Sequence, residues 1–486
     1  VSGGHEEIRL MTDPVTIPLW LFLVLIGLGI LAVLDRMLLP GVRWFLRRKV
    51  NRLLDEIGHR LDLQIRPFQL TRRQVLIDRL VYDAQVMAAI EREARRLDIP
   101  RDTARTMAAR YAREIVPSFN AYLYFRIGYW LAKTIARMLY RVHVGMVNTG
   151  RLKEVDPESA VVFVMNHRSN MDYVLVAFLA AERTTLSYAV GEWAKIWPLQ
   201  SLIRAMGAYF VRRNSNDALY RKVLSRYVEM ATREGVCQAV FPEGGLTRDG
   251  QLRRFKLGIL NYMLRKFDPE HDRDIVFIPI GINYDRVLED RSLLRTLDPL
   301  AEKRSRWFIV KTSVLFSLKC LTRLLTSRWR RFGYAGINFG VPVSMRGYCR
   351  KKGIRFDTPD TETRFADVES LGRELMQSVQ EVLPVLPVPV VATIFHENPA
   401  RSYTAFEVED RANAIIDDIR KQGGPVFVSS RSRVQNIISA LHMLTTRHLV
   451  TESAGLYRAD PENLDVMAFY ANSISHWRSL AAESDS

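Results

Sequence analysis

Short apolar runs alternate with longer amphipathic stretches over residues 160–345. The apolar runs lie at 160–166, 185–190, 207–212, 236–242, 275–283 and 335–343, and helical patterns fall between them at 171–182, 216–233 and 255–267. Strands that alternate with helices are typical of an α/β domain with a largely parallel sheet. The pattern therefore predicts a central α/β domain over residues 151–350.

The pattern before this domain is different. Residues 17–34 carry no charge, and a run of that length is at the short limit for a membrane-spanning helix. Acidic residues precede the run and several Lys and Arg residues follow it, a bias that places the rest of the chain in the cytoplasm. We interpret residues 1–40 as an N-terminal segment with a membrane anchor, and a buried core helix is the alternative.

Residues 41–150 are predicted to form a helical bundle followed by an interfacial helix. Their first part, 44–115, is rich in Arg, Glu, Leu and Ala with few glycines, which favours helices. The second part, 119–141, places four cations on one helical stripe among aromatic residues, as in a helix at a membrane interface. These cations are Arg126, Lys133, Arg137 and Arg141. Packing in a core, with the cationic ends reaching solvent, is an equally good explanation.

Two further stretches complete the organisation of the chain. Residues 303–332 contain nine Lys or Arg and no acidic residue, and we expect this basic amphipathic stretch to contact the bilayer. Residues 351–486 have mostly helical patterns, with breaks at 384–389 and 423–425. They are interpreted as a mostly helical C-terminal region.

Composition narrows the class of partner. The chain of 486 residues has 70 Lys and Arg against 53 Asp and Glu, a net charge of +17, which indicates an anionic partner. No recognised nucleic-acid module is found, so we expect a membrane surface or a phosphorylated substrate and no nucleic acid. Cys237, Cys320 and Cys349 have no CxxC spacing, so neither a disulfide framework nor a metal site is expected.

Candidate chemistry lies where the first apolar strand meets a helix. His167 directly follows the strand 160–166, and Asp172 directly precedes an apolar helical run. Inside one helix, a spacing of five residues would leave the two side chains about 140° apart. They can pair if His167 lies in the loop and the chain turns at Ser169–Asn170, with Asp172 in the first helical turn. Asp172 would then hold one imidazole nitrogen, and the other nitrogen could take a proton from an alcohol.

Three later strand ends also carry ligand-binding residue types. They are GAYFVRR (207–213), with two arginines; FPEGGLTR (241–248), with a carboxylate, two glycines, a hydroxyl and an arginine; and IVFIPIGINY (275–284). The carboxyl ends of parallel strands are where α/β sheets bind ligands, and Arg binds phosphate through two hydrogen bonds. Each motif alone is also compatible with an ordinary strand end.

Together, the order and spacing of these blocks resemble the glycerolipid acyltransferase superfamily. The forms HRSNMD, GAYFVRR, PEGG-LTR and IPIGINYDRV are most similar to the bacterial glycerol-3-phosphate acyltransferase family. The tract LPVLPVPVVATIF (383–395) and the ending DVMAFYANSISH (465–476) are also similar to that family. The resemblance covers about 160–480 and is strongest within the blocks.

The resemblance implies an enzyme that transfers a fatty acyl group to the sn-1 hydroxyl of glycerol 3-phosphate, the first step of phospholipid synthesis. His167 would be the general base and Asp172 its orienting partner, and the donor would be acyl-CoA or an acyl carrier protein. No covalent acyl-enzyme, no cofactor and no metal are implied. The residues implied in substrate binding are Arg168, Ser169, Arg212, Arg213, Glu243, Gly244, Gly245, Thr247 and Arg248. The implied location is the bacterial inner membrane, with the catalytic domain on its cytoplasmic face.

Two alternatives differ from this interpretation. The family usually has Arg directly after its Glu-Gly-Gly, whereas this chain has Leu246, so the acceptor could instead be 1-acylglycerol 3-phosphate or another lyso-lipid. The form of the first block favours glycerol phosphate. A basic scaffold without catalysis would explain the charge but not the His–Asp pair.

Overall fold

A computed structural model describes residues 66–146, 154–180, 185–191, 199–212, 215–297, 331–357, 360–427 and 432–478. The predicted anchor at 17–34 and the basic stretch as far as residue 330 lie outside these ranges. Within them, none of the helices has the length and apolar character that a bilayer crossing requires. The described residues belong to one compact unit that begins at Leu63.

The elements follow one another largely as the hydrophobic pattern predicts. The strands of the main sheet are β1 (Arg141–Met146), β2 (Ala160–Met165), β3 (Ser187–Val190), β4 (Tyr209–Phe210), β5 (Gln238–Val240), β6 (Ile275–Tyr284), β7 (Tyr334–Phe339) and β8 (Val343–Ser344). The helices before and between them are α1 (Pro67–Leu70), α2 (Arg73–Val81), α3 (Ala84–Leu97), α4 (Arg101–Ile115), α5 (Tyr129–Leu139), α6 (Met171–Ala180), α7 (Leu199–Ala205), α8 (Ala218–Arg233), α9 (Gly258–Leu264) and α10 (Asp290–Arg295).

The C-terminal region adds six helices and a small sheet within the described residues. Its helices are α11 (Met345–Lys352), α12 (Thr361–Glu381), α13 (Pro387–Glu397), α14 (Ala405–Lys421), α15 (Arg433–Thr446) and α16 (Leu464–Ala471). The small antiparallel sheet consists of β9 (Tyr403–Thr404), β10 (Val450–Ser453) and β11 (Leu456–Ala459).

The main sheet is largely parallel, which confirms the predicted fold class. Its strands lie in the order β1-β7-β6-β2-β5-β3-β4, and β8 pairs with β6. Strand β2 is parallel to both of its neighbours, β5 and β6, and β3 is parallel to β5 and β4. Only the pairings of β6 with β7 and with β8 are antiparallel among the described strands of this sheet. The central position of β2 places its carboxyl end between those of β5 and β6.

Strand alternation divides the core between the two faces of the sheet. Val162 and Val164 of β2 are buried against α2–α4, α8 and α12, whereas Met165 is buried on the other face against α5, α6 and α13. All ten residues of β6 are buried, as expected of a central strand covered on both faces. The predicted helical character of 44–115 is confirmed for α1–α4, which share a core with α8 and the sheet.

Helix α5 has one buried face and one exposed face. A π-helical turn at Leu123–Gly128 precedes it, and Ala132, Ala136 and Leu139 are buried in the core. On the opposite side Trp130 is 63% exposed, near the exposed Arg126 and Arg137. One side of α5 therefore packs in the core. Most of the predicted cationic stripe lies on its exposed side.

Strand β1 and the small sheet β9–β11 are absent from the sequence interpretation. The helix predicted over 119–141 ends at Leu139, and the chain continues as β1, which pairs with β7 from residue 141 onward. Of the predicted strand 207–212, only Tyr209–Phe210 forms a strand. Gly207 has a φ of +87° and turns the chain two residues before this strand begins. The predicted domain boundaries at 150/151 and 350/351 stay predictions. Each of the two hydrophobic cores contains residues from both sides of these boundaries.

Candidate active site

Three neighbouring strands deliver polar side chains to the same edge of the sheet. Tyr284 ends β6, His167 follows β2 by two residues, and Glu243 follows β5 by three residues. Because β6, β2 and β5 are adjacent and parallel, their carboxyl ends bring these side chains together. The candidate active site therefore lies at the edge where α/β sheets bind ligands.

His167 and Asp172 meet as their spacing predicts. Helix α6 begins only at Met171, and the Ser169 hydroxyl accepts a hydrogen bond from the Met171 N–H at 3.1 Å. His167 thus lies in the loop and Asp172 in the first helical turn, and Asp172 Oδ2 is 2.8 Å from His167 Nδ1. The helix N-terminus also favours the negative charge of Asp172. The geometry is that of a His–Asp pair, and its catalytic role stays a prediction.

The carboxylate of Asp172 is completely buried and fully hydrogen-bonded. Besides the imidazole, Oδ2 accepts the N–H groups of Arg168 at 2.8 Å and Ser169 at 3.1 Å. The other oxygen, Oδ1, accepts the hydroxyl of Tyr284 at 2.6 Å. Because Oδ2 faces Nδ1 as a hydrogen-bond acceptor, the neutral imidazole carries its proton on Nδ1.

The second imidazole nitrogen is the one available for chemistry. His167 Nε2 is buried and has no hydrogen-bond partner among the described residues. The ring stacks on Phe241 at 4.1 Å between centroids, and Tyr173 meets it edge-on at 5.2 Å. An unprotonated nitrogen that is shielded by aromatic rings and free of protein donors can accept a proton from a bound alcohol.

Glu243 and Thr247, which are predicted to bind substrate, also make hydrogen bonds to the backbone of His167. Glu243 Oε1 accepts the His167 N–H at 2.9 Å, and Oε2 accepts the Arg253 N–H at 2.9 Å. The Thr247 N–H donates to the His167 carbonyl at 2.9 Å. Burial raises the pKa of Glu243 to about 7 despite these N–H bonds. Both residues thus hold the loop of His167 through its backbone, and their role in substrate binding stays a prediction.

The glycines and the arginine of the same block differ in their surroundings. Gly244 has a φ of +66°, and a Cβ there would lie 2.8 Å from Lys256 Cδ, so a glycine is required for the turn. Gly245 is buried, whereas Arg248 is exposed at the surface of the loop. Arg253, Arg254 and Lys256 are exposed on the following segment. This loop therefore combines a fixed contact to His167 with a group of surface cations.

Arg168 and Ser169 are committed to contacts within the protein. Arg168 is buried, and its Nη2 donates to the carbonyl oxygens of Gly250 at 2.9 Å and Ser473 at 3.4 Å. Burial lowers its pKa to about 10, so the guanidinium stays charged at neutral pH beside Asp172 and Glu243. The Ser169 hydroxyl donates to Glu289 Oε2 at 2.7 Å. The first block is thereby tied to the C-terminal region and to the start of α10.

Arg212 lies in a different environment from the His–Asp pair. Its guanidinium makes two hydrogen bonds to Glu114, at 3.0 and 2.6 Å, and lies over the rings of Tyr111 and Tyr220. These contacts join the end of β4 to α4 and α8. Arg213 lies outside the described residues. A role for either arginine in substrate binding stays a prediction.

Two contacts of the loop that carries His167 are absent from the sequence interpretation. Tyr284 bonds Asp172, and Glu289 accepts the N–H and the side-chain amide of Asn170, at 3.2 and 3.1 Å, in addition to Ser169. Tyr284 lies in the block IPIGINYDRV, at the end of a predicted strand. This position at the edge of the sheet could have indicated that Tyr284 lies near His167 and Asp172. Nothing in the local sequence distinguishes Glu289 from other acidic residues that follow a strand.

Two models of known protein families match this chain. Residues 146–283 match the family model described as Acyltransferase, which includes the His–Asp pair and the loop around Glu243. Residues 317–482 match the model described as Glycerol-3-phosphate acyltransferase C-terminal region. The site therefore lies within the region that matches the Acyltransferase model. Together the two matches confirm the resemblance that the motifs show to the glycerol-3-phosphate acyltransferase family.

Curated relatives cover most of this chain. A glycerol-3-phosphate acyltransferase of Ectopseudomonas mendocina is 28% identical over 361 residues, 72% of this chain and 41% of the relative. Proteins of the same name from Pseudomonas fluorescens and Pseudomonas paraeruginosa are 27% and 30% identical, over 85% and 71% of this chain. The chain spans 41–49% of the length of these relatives.

One solved structure has a related name. A 1-acyl-sn-glycerophosphate (LPA) acyltransferase from Thermotoga maritima is 18% identical, covers 52% of this chain and 78% of its own, and has a TM-score of 0.29. This score is too low to bear on the fold or the acceptor.

Proposed function

We propose that the protein transfers a fatty acyl group from acyl-CoA or an acyl carrier protein to the sn-1 hydroxyl of glycerol 3-phosphate. The observation that carries this proposal is His167 Nε2, which is buried and unpartnered among the described residues while Asp172 holds Nδ1. The match of residues 317–482 to the glycerol-3-phosphate acyltransferase C-terminal region supports glycerol 3-phosphate as the acceptor.

The proposed reaction needs one base and no covalent intermediate on the protein. Nε2 takes the proton of the acceptor hydroxyl as its oxygen attacks the thioester carbonyl carbon. Asp172 stabilises the imidazolium that forms. The carbon–sulfur bond then breaks, the thiolate takes the proton back from the imidazolium, and the products are the acylated glycerol phosphate and the free thiol.

An acceptor screen tests the proposal. Thiol release from palmitoyl-CoA is measured with glycerol 3-phosphate, with 1-acylglycerol 3-phosphate and with neither, on the intact chain in detergent or lipid. We expect release that depends on glycerol 3-phosphate. The alternative acceptor would be supported if thiol were released with the lyso-lipid alone and millimolar glycerol 3-phosphate did not compete. This alternative stays open because the chain has Leu246 where the family usually has Arg.

The acceptor phosphate is proposed to bind the cations of the loop after β5. Charge-assisted hydrogen bonds to a phosphate contribute roughly 1.5–3 kcal/mol each. Arg248→Ala is therefore expected to raise the KM for glycerol 3-phosphate about tenfold or more, with little change in the KM for the acyl donor.

Arg92→Ala is the control for this prediction. Arg92 is exposed on α3 and belongs to none of the predicted binding blocks, so its removal takes one cation from the surface and is expected to leave the acceptor KM near that of the wild type. If Arg92→Ala raised the acceptor KM as much as Arg248→Ala, or if Arg248→Ala had no effect, the phosphate site would not be where we place it.

We further propose attachment to the cytoplasmic face of the bacterial inner membrane, through the anchor in residues 1–40 and through basic surfaces. The exposed Trp130 and Arg137 on α5 and Arg126 on the π-helical turn before it support the second part, since aromatic and cationic side chains together favour the interface of an anionic bilayer. The basic stretch 303–332 is proposed to act in the same way.

Deletion of residues 1–40 separates the two modes of attachment. The truncated protein is expected to bind vesicles of anionic phospholipid at low salt and to dissociate at about 1 M NaCl, because salt screens electrostatic attraction. The intact chain should stay bound at the same salt concentration. Co-sedimentation measures both. A truncated protein that stays in the supernatant with anionic vesicles at low salt would contradict the interfacial role of α5 and residues 303–332.

A further inference from the structure

The hydrogen bond between Tyr284 and Asp172 has no assigned role in the reaction proposed above. Tyr284 is completely buried at the end of β6, and its hydroxyl is 2.6 Å from Asp172 Oδ1. Oδ2 receives three donors, from the His167 ring and two backbone N–H groups, whereas Oδ1 receives only Tyr284 among the described residues. The two oxygens of the carboxylate are therefore held by different parts of the protein, the loop after β2 and the end of β6.

The hydroxyl of Tyr284 is the donor in this bond. Burial, together with the negative charge of Asp172, holds the pKa of Tyr284 well above its ordinary value. The phenol therefore keeps its proton, and the carboxylate accepts it. A bond of 2.6 Å between a hydroxyl and a carboxylate is in the short range of charge-assisted hydrogen bonds.

We propose that Tyr284 is a positioning residue for acyl transfer, which orients the Asp172 carboxylate toward His167 Nδ1 and draws negative charge toward Oδ1. The inference rests on the proposed function, since it assigns Tyr284 to the general base of that reaction. Tyr284 acts through Asp172 and is not itself a catalytic residue.

The effect on pH dependence follows from the charge of the pair. His167 Nδ1 and Asp172 Oδ2 are 2.8 Å apart, and the reaction needs the imidazole without an extra proton. The charges of Arg168, Glu243 and Glu289 also act on Asp172, and all three are unchanged in the variants compared below. A donor on Oδ1 spreads the negative charge of the carboxylate and weakens the binding of that proton. Loss of the donor should therefore raise the apparent pKa of the acid limb of the pH–rate profile. Activity would then be lost at a higher pH than in the wild type.

Tyr140 provides a matched control. It is as deeply buried as Tyr284, the two ring centroids are 5.3 Å apart, and its hydroxyl donates to the Arg286 carbonyl at 2.7 Å. Tyr140→Phe thus removes a buried hydroxyl from the same cluster without removing a hydrogen bond to Asp172. A purely structural role of Tyr284 would make the two variants behave alike.

The test compares the pH profiles of Tyr284→Phe and Tyr140→Phe in the intact chain, from about pH 6 to about pH 9, with thermal melting to check the fold. For Tyr284→Phe we expect a decrease in kcat of roughly tenfold to a hundredfold at neutral pH, unchanged KM values, and an acid limb about one unit higher. Tyr140→Phe should keep the wild-type limb. An acid limb of Tyr284→Phe that coincides with that of Tyr140→Phe would overturn the inference.

A second variant covers the case in which Tyr284→Phe does not fold. Replacement of Tyr284 by 3-fluorotyrosine preserves the shape of the side chain and makes the phenol a stronger donor, so the acid limb should move to lower pH. An unchanged limb would again overturn the inference. Absence of acyl transfer by the wild type would contradict the proposed function itself, whereas an active wild type with unshifted variants would contradict only the role of Tyr284.

Discussion

His167→Ala is expected to lower kcat for acyl transfer roughly 10²–10⁴-fold, the usual cost of removing a general base. The fold should survive, because the two hydrogen bonds that hold this residue in its loop, to Glu243 and from Thr247, involve the backbone of His167. Alanine retains both. The measurement is acceptor-dependent thiol release, together with a thermal melt of the variant.

His271→Ala is a matched control for this variant. His271 also pairs with an aspartate, Asp268, at 2.8 Å, but its side chain is 85% exposed, whereas those of His167 and Asp172 are buried. We expect wild-type kcat for His271→Ala. Transfer by His167→Ala within about tenfold of the wild type would refute the assignment of the base.

The second large effect is expected for Asp172→Asn. In the wild type, Oδ2 is buried and accepts hydrogen bonds from three donors. An amide in its place has no negative charge, so it stabilises the imidazolium less than the carboxylate does. We expect a decrease in kcat of about 10²–10⁴-fold, as for other His–Asp pairs. The double variant His167→Ala with Asp172→Asn should be little worse than His167→Ala alone, since the two residues act as one unit. Effects of the two substitutions that multiply would show that Asp172 acts independently of His167.

The sequence was most informative where local pattern and chemistry coincide. The strand predicted at 160–166 is β2, the helix predicted at 171–182 is α6, and the turn between them is what permits the pairing of His167 with Asp172. These features depend on residues within one short segment. Apolar periodicity and the N-terminal preferences of helices determine them locally.

Contacts between distant segments could not be predicted in the same way. The motif gives no sign that Arg168 is buried and bonds Gly250 and Ser473, which are 82 and 305 residues away in the chain. Likewise, Arg212 follows a strand as predicted, yet Glu114 from α4 takes its guanidinium. The partner of a polar side chain depends on the order of strands and on which helix covers the sheet, and neither is contained in a local motif.

Strand β1 was missed for a related reason. Its sequence, RVHVGM, is short and directly follows a helix, and of its valines Val144 is exposed and Val142 half-buried. Only pairing with β7, almost 200 residues later in the chain, stabilises it as a strand. An edge strand of this kind carries too weak an apolar signal to be separated from the end of the preceding helix.

The central claim is that this site acylates glycerol 3-phosphate with His167 as the base. The most direct measurement incubates the wild type and His167→Ala with radiolabelled glycerol 3-phosphate and palmitoyl-CoA, and quantifies the label extracted as acylated lipid. The account predicts lysophosphatidate from the wild type and at least about a hundredfold less from His167→Ala. No labelled lipid from a folded, lipid-supplied wild type, or equal amounts from both proteins, would contradict it.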